Sequence, residues 1–243
     1  MKKKDRWFIV ILLFLVILGS TTIYCVKAKD TPKVVVVETK SKEELPKEEK
    51  YVSRILDLRK KYSNEDIISE LEIPEIELNE IVTKSLDNEY YLNYDLYKNY
   101  NMYGNPYIDF RNGDDLSLER QINIYSHNIQ EKTLKKNASF SKLENLLDKE
   151  IFDKTNYIYL KTEKELIKYE LYAVKLISND KEHMILDTGN DDLWQTHLDK
   201  LLKNTISCKD DCKLEKNTEL LILQTCYFDP KDSYILVIGK KIK

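Results

Sequence analysis

The sequence contains little glycine, proline, cysteine or arginine. Five Gly and five Pro in 243 residues exclude collagen-like and other Gly/Pro-rich low-complexity chains. Four Cys are too few for a disulfide-rich scaffold of this length. The net charge is −3, so a basic surface for nucleic acid is not expected. Hydrophobic residues make up 42% and charged residues 33%, which excludes a disordered chain and a polytopic membrane protein.

The N-terminus contains one long uncharged segment, residues 7–26. Twenty helical residues span about 30 Å, the thickness of the hydrocarbon layer. Four basic residues within positions 1–6 precede it and keep that end in the cytoplasm by the positive-inside rule. A cleaved signal peptide is the alternative, but no A-x-A-like site follows the run. We therefore expect an uncleaved membrane anchor with the rest of the chain outside the cell.

Beyond the anchor, composition predicts a stalk and one globular domain. Residues 27–50 are rich in Lys, Glu, Thr and Pro and have little to bury, as in a linker. Residues 51–243 are numerous enough to form a sizeable core. This part is expected to be the extracellular domain.

The domain reads as mainly β with a few helices. Helical patterns cover residues 51–63, 64–71, 140–152 and 190–204. Short alternating or apolar runs rich in Tyr, Ile, Leu and Val predict strands, namely QINIY, YIYLKT, IKYELYAVKLI, ELLILQT and SYILVIG. Similar runs, broken by Asp, Asn and Gly, fill residues 75–110. We expect a mostly antiparallel β domain with N-terminal helices and a helix inserted before the last two strands.

Cys226 ends a strand and precedes a turn-like loop. A nucleophile needs this placement, because the strand fixes it and the loop leaves it accessible. The alternative is a buried cysteine that only fills the core.

His127 lies at the end of a strand and is followed by Asn128. Acid–base chemistry and a plain turn are both consistent with this position. His197 lies on the apolar stripe of a helix, where packing or a structural hydrogen bond is expected, and His183 lies in a charged stretch expected at the surface.

Cys208 and Cys212 lie in a polar loop. Outside the cytosol a small disulfide fits this spacing, whereas zinc would need two further ligands that the neighbouring sequence lacks. The run Asn190-Asp191-Asp192 fits a helix N-terminus better than a calcium site.

Several motifs together resemble the sortases, the membrane-anchored cysteine transpeptidases of Gram-positive bacteria. They are the anchor, YSHN at residues 125–128, LQTC at residues 223–226 and the final strand YILVIGK. The stretch 87–112 and the helices at 51–71 and 190–204 are similar to class B sortases. The resemblance covers about residues 51–243.

The resemblance implies a closed β-barrel and a transpeptidase reaction without a metal or organic cofactor. Cys226 would attack a C-terminal sorting signal of a secreted protein to form a thioester, and His127 would protonate the departing amine. An amine of a cell-wall peptide or a pilin would then accept the acyl group. Candidates for binding the substrate or the oxyanion are the backbone N–H of Tyr227 and the residues Thr225, Ser233 and Tyr234.

Two departures from the family pattern affect this expectation. Ile222 stands where the family usually has Thr. More seriously, the family's Arg at the start of the last strand is replaced by Ser233 or Tyr234, and no Arg follows Arg120. Losing such a positioned donor costs about 10²–10³ in rate. Lys231 and Arg111 are the candidate substitutes, although Lys offers only a point charge.

Three hypotheses follow from the sequence. The first is an active class B-like transpeptidase. The second is a degenerate sortase that binds sorting signals or pilins with little turnover. The third is an anchored extracytoplasmic β domain that binds a ligand and carries an incidental Cys and His.

Overall fold

The computed structural model describes residues 47–131, 136–178, 184–229 and 232–242. The predicted membrane span at 7–26 and most of the predicted stalk at 27–50 lie outside the described residues. Among the helices that are described, none is both long enough and apolar enough to cross a bilayer. The anchor and the stalk therefore stay predictions.

The described residues are mainly β-strand, as the sequence predicted. The helices are α1 (Lys47–Tyr62), α2 (Lys149–Lys154) and α3 (Asp191–Leu202). The strands are β1 (Ile67–Ile73), β2 (Leu78–Thr83), β3 (Tyr107–Ile108), β4 (Gln121–Tyr125), β5 (Gln130–Glu131), β6 (Lys136–Asn137), β7 (Tyr157–Thr162), β8 (Leu166–Ile177), β9 (Ser207–Cys208), β10 (Leu220–Tyr227) and β11 (Ser233–Lys241). Short 3₁₀ segments lie at Pro74–Ile76, Tyr90–Leu92, Leu116–Leu118 and Ser139–Leu147.

Eight of these strands close into a barrel, which confirms the predicted architecture. Their order is β11-β10-β4-β3-β2-β1-β7-β8, and β8 also pairs with β11 to complete the ring. The closure is weakest between β2 and β3, which pair only at Thr83 and Tyr107. The short strand β9 is added to β8, and β5 and β6 form a separate two-stranded ribbon.

Strand β10 is buried on both faces, which explains its continuous apolar run. Leu221 and Leu223 point into the barrel, whereas Leu220 and Ile222 contact the helix α3 on the outside. Side chains alternate along a strand, so Cys226 shares the outer face with Leu220 and Ile222. The fold thus places the cysteine on the outer surface of the barrel, beyond the end of the strip that α3 covers.

Helix α3 lies before the cysteine strand, as predicted. Its apolar stripe, including the fully buried Trp194, packs on the outer face of the barrel. The Asn190 side chain accepts hydrogen bonds from the backbone N–H groups of Asp192 and Leu193. This capping confirms that the Asn-Asp-Asp run marks a helix N-terminus.

The helix predicted over residues 64–71 is wrong, because Ile67–Ile73 forms strand β1. Asn64 does not cap a helix. Its side-chain amide instead donates to the Tyr91 hydroxyl and the Leu96 carbonyl, which are distant in sequence. Strand β1 pairs with both β2 and β7. Its Leu71 and Ile73 are buried in the barrel core, whereas Ile67 packs against helix α1. Pairing partners distant in sequence therefore overrode the local helical pattern.

The single helix predicted over residues 140–152 is also wrong in part. The segment is a 3₁₀ stretch, Ser139–Leu147, followed by the short helix α2. Asp148 separates them, since its backbone is extended and its side chain accepts from Glu150 N and Ile151 N. An aspartate in this conformation begins a new helix rather than continuing the old one.

The tyrosine-rich stretch 87–106 forms a loop of turns rather than the strands suggested by its alternating pattern. Its only strand-like pairing is an isolated bridge between Tyr94 and Tyr100. Carboxylates hold the turns: Asp87 accepts from the backbone of Glu89 and Tyr90, and Asp95 accepts from Tyr97 and Asn99. Such side-chain bonds to nearby backbone compete with strand pairing.

Candidate active site

Strands β4 and β10 bring His127 and Cys226 together. The two strands are parallel neighbours, and Tyr125 lies beside Gln224. Pairing continues beyond β4, because Ser126 N donates to Gln224 O at 3.3 Å and Thr225 Oγ1 donates to Ser126 O at 2.8 Å. Two residues after Tyr125 and Gln224, the same register places His127 beside Cys226. Neighbouring strands lie about 4.8 Å apart, so the two residues are backbone neighbours on the same outer face.

Asn128 strengthens this junction. Its Nδ2 donates to the backbone carbonyl of Cys226 at 2.9 Å and also to the Glu144 carboxylate. The side chain is almost completely buried. The asparagine of the His-Asn pair therefore holds the histidine loop against the cysteine strand, a role that the sequence analysis did not assign.

The hydrogen bond of His127 determines which ring nitrogen is available for chemistry. Nε2 lies 2.8 Å from the backbone carbonyl of Leu92, in the tyrosine-rich loop. A carbonyl oxygen only accepts, so Nε2 carries a proton and Nδ1 is left to exchange one. The same contact ties the loop to the site.

Cys226 is a free, half-buried cysteine. Burial raises the pKa of its thiol, and no neighbouring cation lowers it among the described residues. The thiol makes no hydrogen bond to His127 in the structure as described. Cys226 is therefore protonated at neutral pH in this state, and a base must remove its proton before attack.

A cluster of tyrosines lies beside this pair. Tyr91, Tyr107 and Tyr125 are buried together, and Tyr107 on β3 lies directly opposite Tyr125 on β4 with ring centroids 5.6 Å apart. The Tyr125 hydroxyl donates to Asp109 Oδ2 at 2.9 Å. The sequence analysis missed this cluster, although Tyr107 and Tyr125 were visible as members of two predicted strands.

Asp109 and Arg111 form a tight ion pair behind the tyrosines. Arg111 donates from Nε and Nη2 to the two carboxylate oxygens at 2.8 and 2.7 Å. Burial raises the pKa of Asp109, but hydrogen bonds from Arg111 and Tyr125 outweigh it, so the net pKa is lowered. Arg111, a predicted substitute for the family's arginine, is thus committed to a buried carboxylate.

The register of the last two strands decides which residue faces the cysteine. Cys226 lies directly opposite Tyr234, and Ser233 lies opposite Tyr227. Tyr234 therefore lies on the same face of the sheet as the thiol. Every arginine in the described ranges is paired with a carboxylate: Arg54 with Glu70, Arg59 with Glu163, Arg111 with Asp109, and Arg120 with Asp187 and Asp191. Lys231 lies outside the described residues.

The other candidate residues occupy supporting positions. Thr225 and Ser233 are buried, and the Thr225 hydroxyl donates to the Ser126 carbonyl. Tyr227, the last residue of β10, is half-buried and packs against the barrel core.

Of the four other histidine and cysteine residues considered in the sequence, the structure describes His197, Cys208 and Cys212. His197 is buried and its Nε2 bonds Gln121 Oε1 at 2.8 Å, which confirms its structural role. His183 lies outside the described residues. Cys208 and Cys212 form a disulfide with Cα atoms 5.5 Å apart. Within the parts of the chain that are described, no group of three or more His, Cys, Asp or Glu side chains is placed to hold a metal ion.

Comparison with known proteins finds similarity to sortase B, although not to a family model. No family model matches the chain. Sortase B of Staphylococcus aureus (strain NCTC 8325 / PS 47) is 23% identical over 186 residues, which cover 74% of this chain and 72% of the relative.

Solved structures share the fold. A mutant form of Clostridium perfringens sortase B superposes with a TM-score of 0.72 at 19% identity, covering 81% of this chain and 90% of that one. A Staphylococcus aureus sortase B–substrate complex gives a TM-score of 0.68 at 23% identity, covering 79% and 85%. The chain is thus similar to sortase B over 74% of its length and shares the barrel fold of the solved sortase B structures.

Proposed function

We propose that the chain is a cysteine transpeptidase that cleaves a C-terminal sorting signal of secreted proteins and transfers the acyl group to an amine of the cell wall or a pilin. The observation that carries this proposal is the register of β4 and β10, which sets His127 beside Cys226 on an open face of the barrel. A nucleophile and a base on neighbouring strand ends are what acyl transfer through a thioester requires.

In the first half of the reaction, His127 Nδ1 takes the thiol proton and the sulfur attacks the backbone carbonyl of the sorting signal. A C–S bond forms, the carbonyl oxygen becomes an oxyanion, and the C–N bond breaks. The proton on Nδ1 passes to the departing amine. The Leu92 carbonyl stabilises the doubly protonated ring, since it accepts from Nε2.

In the second half, an acceptor amine attacks the thioester carbon. Its proton passes to Nδ1, the C–S bond breaks, and the proton then returns to the sulfur. No metal or organic cofactor takes part in this scheme. A Staphylococcus aureus sortase B of similar fold has been solved as a substrate complex, which supports a substrate-processing role for this chain.

The oxyanion requires a hydrogen-bond donor in this mechanism. Tyr234 lies opposite Cys226 where a planar guanidinium would be expected, and the backbone N–H of Tyr227 is the other candidate. Ser233 and Thr225 lie nearby but are buried. These observations favour a second candidate function, a degenerate sortase that binds sorting signals or pilins with little turnover.

We also propose that residues 7–26 anchor the enzyme in the cell membrane, with residues 1–6 in the cytoplasm and the domain outside. The support is the uncharged run and its basic flank. Anchoring would hold the enzyme beside substrates retained at the same bilayer and raise their effective concentration. Protease treatment of intact cells should digest the domain but spare a short membrane-embedded fragment; a fully protected domain would contradict this orientation.

The function is tested by incubating the full chain with a library of peptides that mimic sorting signals and following its mass. A covalent adduct that Cys226→Ala abolishes, released by an added amine, supports the transpeptidase. Reversible binding without an adduct supports the degenerate sortase. If neither an adduct nor reversible binding is observed, the chain is instead a β domain that binds another ligand and carries an incidental Cys and His.

A further inference from the structure

The hydroxyls of the three buried tyrosines beside the site differ in their bonding. The Tyr91 hydroxyl donates to Asp66 Oδ2 at 2.7 Å, and the Tyr125 hydroxyl donates to Asp109. The Tyr107 hydroxyl has no hydrogen-bond partner among the residues that the structure describes. Tyr107 is thus a nearly buried phenol, 6% exposed, whose hydroxyl is not used by another described residue.

The strand order places Tyr107 on the same face of the sheet as the candidate nucleophile. Tyr107 lies opposite Tyr125, which in turn lies beside Gln224, so the three form one row on the outer face of β3, β4 and β10. Cys226 is the next residue on that face of β10. Their proximity also has an electrostatic consequence, because the pKa of Tyr107 is raised by burial, by the charge of Asp109 and by the charge of Cys226. The phenol therefore stays protonated and remains a donor.

We propose that Tyr107 is a catalytic residue whose hydroxyl donates a hydrogen bond to the carbonyl oxygen of the acyl group that Cys226 attacks. This inference rests on the proposed function, in which Cys226 is the nucleophile. It supplies a donor in a site where Tyr234 faces the thiol and each described arginine is paired with a carboxylate.

The chemistry fits a neutral donor in a half-buried site. Charge develops on the carbonyl oxygen only as the C–S bond forms, so a fixed donor stabilises the transition state more than the ground state. A phenol costs less to desolvate than a guanidinium and needs no counter-charge. Tyr107 is held by its ring against Tyr125, so little reorganisation is required.

Two reactions of the same thiol separate this role from a structural one. In acylation by p-nitrophenyl acetate, the thiol proton leaves to His127 or solvent, the C–S bond forms through an oxyanion, and p-nitrophenolate departs. In alkylation by iodoacetamide, the C–S bond forms as iodide leaves, without an oxyanion. Tyr107→Phe in the full chain should slow acylation at least about 10-fold while leaving the rate of alkylation unchanged.

Tyr91→Phe is the matched control. It removes a hydroxyl of the same cluster that bonds Asn64 and Asp66, so it should lower the free energy of unfolding without changing the ratio of acylation to alkylation. Tyr107→Phe should leave the free energy of unfolding unchanged, because its hydroxyl has no partner to lose among the described residues. Cys226→Ala gives the background rate of both reactions.

The outcomes are distinguishable. A lower ratio of acylation to alkylation in Tyr107→Phe alone supports the inference. An unchanged ratio overturns it, whatever the sorting-signal peptides do. If the ratio falls but no peptide is ever transferred to an amine, Tyr107 is an oxyanion donor and the proposed transpeptidase function is the part that fails.

Discussion

Asn128 donates a hydrogen bond from Nδ2 to the backbone carbonyl of Cys226 at 2.9 Å. The bond crosses from the loop that follows β4 to the end of β10, and thereby joins the residue after the candidate base to the candidate nucleophile itself. The geometry of the pair is thus maintained by a buried amide as well as by strand pairing.

Asn128→Ala should lower both stability and activity. The substitution removes bonds to Cys226 O and Glu144 in a buried site, which costs about 1–3 kcal/mol of unfolding free energy. Urea unfolding and the rate of Cys226 acylation measure the two effects. The exposed Asn99 provides the control, since Asn99→Ala should change neither. Unchanged acylation in Asn128→Ala would show that the bond does not position the thiol.

Tyr234→Arg should increase transpeptidation. The new guanidinium would lie opposite Cys226, where its fork of donors would add to the single hydroxyl proposed for Tyr107, and the gain should be on the order of 10². The kcat of peptide cleavage measures it. Tyr234→Lys should give less, because an ammonium lacks the planar fork. Equal rates in all three chains would mean that the site is not limited by this donor.

Alkylation of Cys226 should respond to pH with a midpoint above that of an ordinary cysteine. Burial raises the pKa of this thiol by disfavouring the thiolate, so the reactive fraction near pH 7 is smaller than in an exposed thiol. The rate with iodoacetamide across the pH range, compared with N-acetylcysteine, tests this. A midpoint below the reference would reveal a cation close to the sulfur.

Asp109→Asn should reduce stability at neutral pH but much less in acid. The pKa of Asp109 is lowered in the folded state, so its stabilising contribution is present above its unfolded value, near 3.8, and is lost as pH falls through the folded value. Losing bonds from Arg111 and Tyr125 should cost about 1.5–3 kcal/mol. Urea unfolding at neutral pH and below pH 3.8 measures the difference between the two chains. A difference that stays constant with pH would contradict this account.

Removing the disulfide should weaken the fold without stopping the chemistry. Cys208 and Cys212 are only four residues apart, and closing so short a loop contributes about 2 kcal/mol by chain entropy. Paired Cys208→Ser and Cys212→Ser substitutions should lower the free energy of unfolding by this amount while Cys226 still forms its acyl adduct. Loss of the adduct would instead connect the β9 loop to the active site.

Local sequence patterns predicted much of the secondary structure. Alternating Ile, Tyr and Val predicted most barrel strands. Successive side chains of a strand point to opposite faces, so the residues that face the core recur at every second position. The stripe of α3 and its Asn190 cap were readable for the same reason: they depend on residues within one turn of each other. The positions of Cys226 and His127 at strand ends were also visible in the sequence.

Local patterns failed where distant partners decided the structure. Residues 64–71 have a reasonable helical pattern, yet β2 and β7 supply hydrogen bonds on both sides of Ile67–Ile73 and make it a strand. The tyrosine-rich loop alternates like a strand, but its own carboxylates fold it into turns.

The site itself depended most on tertiary structure. The sequence alone identified a cysteine, a histidine and a missing arginine. Only the barrel set β4 parallel to β10, placed Tyr234 opposite the thiol and brought Tyr107 into the same row, because these relationships arise from pairing between strands that are far apart along the chain. No spacing within the sequence contains that register, since it follows from how the whole sheet closes.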